Sequence, residues 1–227
     1  SPHAEILKSV APALEKEGIK LEVKEFTDYI IPNTALEEKQ LDANYFQHQP
    51  YLDNFQKEHK THLKSVAPVH VEPMAVYSKK IKALSELADG ATVAIPNDPT
   101  NESRALDVLA GAGLIKLNDN PLKTPLDITE NPKNLKFTEL EGALIPRALD
   151  DVDLAAISTN FILDMGMNPS KDALLIEDTD SPYANIIVVK SGNENEPKIK
   201  ALVSAATSKE SKEFILKKYN GAILPTF

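Results

Sequence analysis

The stretch AIPNDPTNESRALDVL, Ala94 to Leu109, reads as a buried strand that runs through a tight loop into a helix. Thr92, Val93, Ala94 and Ile95 are β-branched or small and apolar, Pro96 stops the strand, and Asn97-Asp98-Pro99 is turn chemistry. Thr100 or Asn101 is expected to cap the helix. Glu102 falls in its first turn, where the macrodipole favours negative charge, and Ala105, Leu106, Val108 and Leu109 supply an apolar stripe. Arg104 is the exception to that stripe. A helix start presents unpaired N–H groups and partial positive charge, so a guanidinium one turn in, beside Asn101, makes a carboxylate clamp. The plainer alternative is an ordinary surface pairing of Arg104 with Asp107 or Glu102.

Upstream, Ile6, Leu7, Val10, Ala13 and Leu14 recur at helical spacing up to a stop at Gly18, and Ile19 to Phe26 alternates as IKLEVKEF, which predicts a strand. Asp28 to Asn33 reads as a loop, with Pro32 near the start of a helix through Glu38. A short strand over Leu41 to Phe46 and a helix over Pro50 to Lys60 follow. Val66 to Tyr77 is extended, and its Pro68 and Pro73 suit an edge or crossing strand. Downstream, a helix is expected over Lys82 to Leu87, and the Arg104 helix ends at Gly111-Ala112-Gly113. Past a proline-punctuated segment come strands at Leu135 to Leu140, Asp153 to Ser158, Leu174 to Glu177 and Asn185 to Lys190. Helices are expected at Ile145 to Leu149, Asn160 to Met165, Pro197 to Ala206 and Lys209 to Tyr219. The alternation predicts a parallel-dominated α/β fold. Connections near Tyr77 to Lys82 and near Tyr183 divide it into two lobes, residues 1–78 with 186–227 and residues 79–185, with a small-molecule cleft between them.

The chain has 227 residues, 42% of them hydrophobic, enough for such a core. Lys and Arg total 25 against 34 Asp and Glu, a net charge of -9, and no basic run is interleaved with aromatics, which argues against nucleic acid as a partner. There is no cysteine, so no disulfide framework, thiol nucleophile or cysteine-based zinc site. No apolar run approaches the ~20 residues that span a bilayer. Any signal peptide or anchor would lie upstream of Ser1.

Tyr45, Phe46, His48, Tyr51 and Phe55 concentrate at a strand-to-helix junction, with Tyr29 on an earlier loop. Rings with one imidazole suit a thioether or apolar side chain, and they equally suit a packing cluster. His59 and His62, with His48 or His70, are candidate metal ligands, but no carboxylate completes a recognisable pattern. Asp150, Asp151 and Asp153 form an acidic knot that would serve acid–base chemistry with His48 in a small hydrolase, or merely end one element and cap the next. No GxSxG, GxxxxGK[ST] or GxGxxG motif is present.

Four stretches carry a resemblance: DANYFQHQPYLDNF (Asp42 to Phe55), IPNDPTNESRALDVL (Ile95 to Leu109), LIPRALDDVDLAAIS (Leu144 to Ser158) and DSPYANIIVV (Asp180 to Val189). With them the chain resembles the methionine-binding lipoproteins of the NlpA/MetQ group, which serve ABC importers. The resemblance implies a type II periplasmic-binding-protein-like fold that closes on methionine, catalyses nothing, and needs no cofactor or metal. The expected partners are an importer permease with its ATPase, and the membrane through an N-terminal lipid anchor. That places the protein on the outer face of the cytoplasmic membrane. The family's first strand and lipid-modified cysteine would precede Ser1. Carried over by position, Arg104 pairs with the ligand carboxylate, with Asn101 near it, and Asn160 and Asn185 receive the amino and carboxylate groups. Tyr29, Phe46, His48, Tyr51 and Tyr77 wall the side-chain pocket, with His70 close by. Ser158 stands where the family often has asparagine, and Ala75 replaces a common glycine. D-methionine or a dipeptide such as Gly-Met is the alternative cargo.

Overall fold

The computed structural model describes residues 2–178 and 182–227. Its helices are α1 (Pro2–Glu15), α2 (Ile31–Glu37), α3 (Gln49–His59), α4 (Pro99–Gly111), α5 (Ile145–Ala148), α6 (Thr159–Asp164), α7 (Pro169–Asp172), α8 (Pro197–Ala206) and α9 (Lys209–Tyr219). The strands are β1 (Asn44–His48), β2 (Leu63–Val71), β3 (Met74–Tyr77), β4 (Thr92–Pro96), β5 (Lys116–Leu117), β6 (Ile128–Glu130), β7 (Lys136–Leu140), β8 (Leu154–Ser158), β9 (Leu175–Ile176), β10 (Asn185–Lys190) and β11 (Leu224–Pro225). The chain divides into two compact units, Ser1–Glu72 with Asp180–Phe227, and Pro73–Thr179.

The second unit is a five-stranded sheet ordered β7-β4-β8-β3-β9. Side chains alternate between its faces, so each strand feeds two cores. Met74 and Val76 of β3, Val93 and Ile95 of β4, and Leu154 and Ala156 of β8 pack with Ala105, Leu106 and Leu109 of α4. Ala75, Tyr77, Ala94, Ala155 and Ile157 face the other way, onto Ile145, Leu149 and Ile162. Both faces are covered, which explains why these strands read as short apolar runs rather than alternating ones.

The first unit is a four-stranded sheet ordered β1-β10-β2-β11, with every pairing antiparallel. Ile186 and Val188 of β10 pack with Leu36, Leu52 and Leu63. A buried amide network, Asn33 Nδ2 to Gln47 Oε1 (2.9 Å) and Asn44 Nδ2 to Asn33 Oδ1 (2.9 Å), ties α2 to β1.

Several expectations are corrected. The fold is not parallel-dominated: among the described residues only β4 runs parallel to its neighbours β7 and β8, and β3 is antiparallel to both β8 and β9. Helix–strand alternation along a chain gives the succession of elements, while strand direction depends on which remote strand lies alongside. Ile19 to Phe26 is irregular rather than a strand. Its alternation survives as burial, with Ile19, Leu21 and Val23 half-buried and Lys20, Glu22 and Lys24 exposed, but no described strand offers it a ladder partner. Lys82 to Leu87 holds a single 3₁₀ turn, Leu84–Glu86, in which Glu86 accepts from the Lys82 and Ala83 amides (2.7 and 2.9 Å). So short a segment cannot offset the cost of nucleating an α-helix.

The extended stretch through Val66 to Tyr77 is two strands in two sheets, broken at Glu72-Pro73. Pro68 sits at an irregularity where β10 slips against β2, a position that tolerates the missing N–H. The unit boundaries accordingly lie at 72/73 and 179/180 rather than 78/79 and 185/186. β3 hydrogen-bonds inside the second unit, and Asn185 already belongs to the sheet of the first. Among the described residues, no helix is long and apolar enough to cross a membrane.

Candidate functional site

In the second unit, strand direction gathers the polar residues at one edge of the sheet. β4 and β8 are parallel neighbours, so the helices that follow them, α4 and α6, begin at the same edge. Met74 pairs with Ser158 there, and the Glu177 amide bonds to the Met74 carbonyl (2.9 Å). This is the carboxyl edge of the parallel strands, where open α/β sheets bind their ligands.

The cap of α4 is Asp98, not Thr100 or Asn101. Its carboxylate accepts from the Asn101 amide (3.0 Å), because Pro99, with its fixed φ, opens the first turn. Burial raises the Asp98 pKa. The first turns of α4 are buried all round: Thr100, Asn101, Glu102, Ser103 and Arg104 are each at most 4% exposed. Glu102 is therefore not a solvated dipole partner. Burial, then the nearby Glu139, pushes its pKa to about 8, and its Oε1 has no hydrogen-bond partner among the described residues.

Arg104 pairs with neither Asp107 nor Glu102. Its Nε and Nη2 donate to Glu177 Oε2 and Oε1 at 2.7 and 2.6 Å, a bidentate pair whose side chains are 4% and 12% exposed. Met74 N also donates to Glu177 Oε1 (3.3 Å). Glu177 is a residue that the sequence reading missed, since 73 positions separate it from Arg104 and no local pattern marks it. Asn160, 8% exposed, is the second residue of α6, which Ser158 precedes at the N-cap position. Tyr77 is fully buried in the α5/α6-side core, and its hydroxyl has no partner among the described residues.

In the first unit, the aromatic cluster divides. Tyr29 lies 6.0 Å from Phe46 and 5.9 Å from Tyr51 between ring centroids, and the Tyr51 hydroxyl donates to the Tyr29 carbonyl (2.6 Å). The Tyr29 loop is held by Asp28, whose carboxylate accepts from the Ile30 and Ile31 amides, both at 2.7 Å. His48 caps α3 through Nδ1, which accepts from the Tyr51 amide (3.1 Å), and its ring meets Tyr183 edge-on at 4.8 Å. Tyr29, Phe46, His48 and Tyr51 thus form one connected group, to which the structure adds Tyr183. Phe55 stacks on Tyr51 and on His59. Tyr45 leaves the group and packs with His3 and His70.

Asn185 begins β10 in register with His48 on one side and His70 on the other. Its Oδ1 lies 2.8 Å from His3 Nε2. His70 in turn bonds to the Tyr45 hydroxyl through Nδ1 and to Glu72 through Nε2 (3.0 Å). Asp180 and Ser181, which start the DSPYANIIVV stretch, lie outside the described residues.

The histidines do not assemble as a His48, His59, His62 and His70 metal centre. His62 pairs with Glu37 at the surface, and His59 bonds to the Phe55 carbonyl. Among the described residues, the one group with metal-ligand spacing is His3, His70 and Glu72. The acidic knot is structural: Asp153 accepts from the Thr92 amide and hydroxyl (2.8 and 3.1 Å), and Asp150 pairs with Lys79 (2.7 Å).

Comparison with known proteins identifies the family. The family model for the NlpA lipoprotein matches residues 1–227. A D-methionine-binding lipoprotein of Salmonella typhi is 48% identical over 222 residues, covering 96% of this chain and 81% of the relative. A methionine-binding lipoprotein of Bacillus subtilis strain 168 is 44% identical over 235 residues, covering 99% and 85%. Among solved structures, a nutrient-binding protein from Burkholderia cenocepacia bound to methionine matches with a TM-score of 0.97 at 46% identity, covering 100% of this chain and 96% of that one. A fold of paired α/β units, a buried arginine at the carboxyl edge of one sheet and an aromatic group in the other unit accompany a match along the whole sequence, and the chain belongs to the NlpA lipoprotein family.

Proposed function

We propose that this protein is the extracytoplasmic substrate-binding component of an ABC importer, that it binds methionine, and that it delivers it to the permease without catalysing a reaction. The observation that carries the reading is Arg104, a buried guanidinium at a helix start, in a chain 46% identical to a protein solved with methionine bound. Arg104, held by Glu177 through Nε and Nη2, pairs with the ligand carboxylate, with Asn101 near it. Asn160 and Asn185 bind the remaining amino and carboxylate atoms. Tyr29, Phe46, His48 and Tyr51, joined by Tyr183, surround the thioether, which packs favourably against ring edges. Tyr77 is left out of that wall, because its ring is sealed in a core. A lipid anchor would hold the protein at the outer face of the membrane.

The energetics suit such a ligand. Burying the side chain contributes ~1.5–3 kcal/mol and each hydrogen bond to a charged group ~1.5–3 kcal/mol. Several together reach the ~8 kcal/mol of micromolar binding. The test is mass spectrometry of small molecules released on denaturation, followed by calorimetric titration of the refolded protein with L-methionine, D-methionine and Gly-Met. Release or micromolar rebinding of methionine is expected. Tighter binding of Gly-Met would change the cargo, and no heat from any of the three would refute the reading.

A further inference from the structure

We propose that His3 is a positioning residue for the methionine site: its Nε2–H holds the Asn185 carboxamide by Oδ1 and so commits the Asn185 Nδ2 donor to the ligand carboxylate. This rests on the methionine reading above. Asn185 is 4% exposed, and His3 and Asn185 meet across 182 positions of sequence. An asparagine amide without a fixed partner presents its oxygen and nitrogen interchangeably, because the terminal torsion is broad and two-fold. A donor on Oδ1 removes that freedom. Among the described residues, the Asn185 Nδ2 has no acceptor of its own.

His3 is itself held in place. Its ring stands edge-on to Tyr45 (4.8 Å between centroids, 72° between planes) and to His70 (5.0 Å, 62°). One set of proton positions satisfies the group: His70 Nε2–H donates to Glu72, the Tyr45 hydroxyl donates to His70 Nδ1, and His3 Nε2–H donates to Asn185. The charged or titratable groups facing His3 are Glu72, His70 and Tyr45, with the Tyr219 hydroxyl on the Pro2 carbonyl at the base of the same helix. Burial lowers the His3 pKa to about 4, so the imidazole is neutral at ordinary pH. Buried rings with matched donors and acceptors make a rigid support, and such a support fixes a binding group to within a fraction of an ångström.

The test compares wild type with His3→Gln, His3→Asn and His3→Leu, each stripped of ligand. Titration with L-methionine is set beside titration with methioninol, which lacks the carboxylate. Gln places an amide N–H near the position of Nε2, whereas Asn is equally polar but too short. The expected result is that Asn and Leu weaken methionine binding by about tenfold or more, the loss of one charge-assisted hydrogen bond. Gln recovers most of that loss, and methioninol affinity is unchanged throughout. Equal losses for methionine and methioninol, or loss in Gln as large as in Asn, would overturn the proposal in favour of a packing role. Methionine affinity that all three variants retain overturns it while the methionine reading stands, and a wild type that binds neither compound removes both. The ligand atoms of His3, His70 and Glu72 lie within 4.8 Å of one another, so melting is also followed with zinc. A zinc-dependent rise in wild type that His3→Leu abolishes would replace positioning by a metal site.

Discussion

Glu177→Leu strips the buried Arg104 guanidinium of two short hydrogen bonds, at 2.7 and 2.6 Å, and removes the acceptor of the Met74 amide. With side chains 4% and 12% exposed, little water is available to replace the lost carboxylate. Breaking one side of a buried pair costs about 3–5 kcal/mol, because the remaining charge loses the carboxylate or guanidinium it was paired with. For a chain of this size, each kcal/mol shifts melting by about 2–4 °C, so the variant should melt roughly 6–20 °C lower. Arg104→Met alone should lose a similar amount by stranding Glu177. In the double variant Arg104→Met/Glu177→Leu neither charge remains, and apolar side chains of similar volume refill the site at little or no cost. The cycle should therefore show a coupling above about 2 kcal/mol. Urea unfolding of ligand-stripped protein is the assay, since bound methionine would add its own stabilisation to whichever variants still bind it. A coupling within about 0.5 kcal/mol of zero, the ordinary additivity of independent sites, would refute the claim that Glu177 holds Arg104. The same cycle guards the binding assignment: methionine affinity of an Arg104 variant is meaningful only once the stability loss has been separated from it.

Two pH effects oppose each other and are separated by single substitutions. The Glu102 pKa, pushed up to about 8, makes the folded state hold a proton that the unfolded chain has released above its ordinary range near 4.5. Its contribution to stability is therefore complete below that range and lost as pH rises through about 8. Glu102→Gln should remove the slope, at most about 1.4 kcal/mol per pH unit, and exceed wild type in stability under alkaline conditions. An unchanged pH profile in urea unfolding would disprove this. The His3 pKa, held down near 4 by burial, has the opposite sign: its contribution is complete above pH 6.5 and lost as pH falls toward 4. His3→Leu should flatten that acid limb, by the same maximal slope per pH unit of about 1.4 kcal/mol. A limb as steep as in wild type would show that another group is responsible.

Much of the fold was legible locally. The closing helices lie at Pro197–Ala206 and Lys209–Tyr219 as their apolar spacing indicates, and the strand, turn and helix around Asn97 appear in order. So does Gly18 past the end of α1, with a φ of +79° that other residues adopt only under strain. The buried polar start of α4 was visible as an arginine in an apolar stripe, and the grouping of Tyr29, Phe46, His48 and Tyr51 as a density of rings at one junction. These features depend on neighbours within a few residues, where period, capping and turn chemistry act.

Tertiary structure decided the rest. Whether Ile19 to Phe26 becomes a strand depends on a backbone beside it, and the directions of β3 and β10 depend on strands far away in the chain. Tyr45 and Phe46 are adjacent in sequence yet join different groups, because successive side chains of a strand point to opposite faces, and the rings that await them there come from His3 and His70 on one side and Tyr29 on the other. Two buried pairs, Arg104 with Glu177 and His3 with Asn185, span 73 and 182 positions. A sequence reveals which side chains avoid water, since that preference belongs to each residue alone. It does not reveal which charge or amide will satisfy a buried polar atom, since that partner exists only once the strands have been brought side by side.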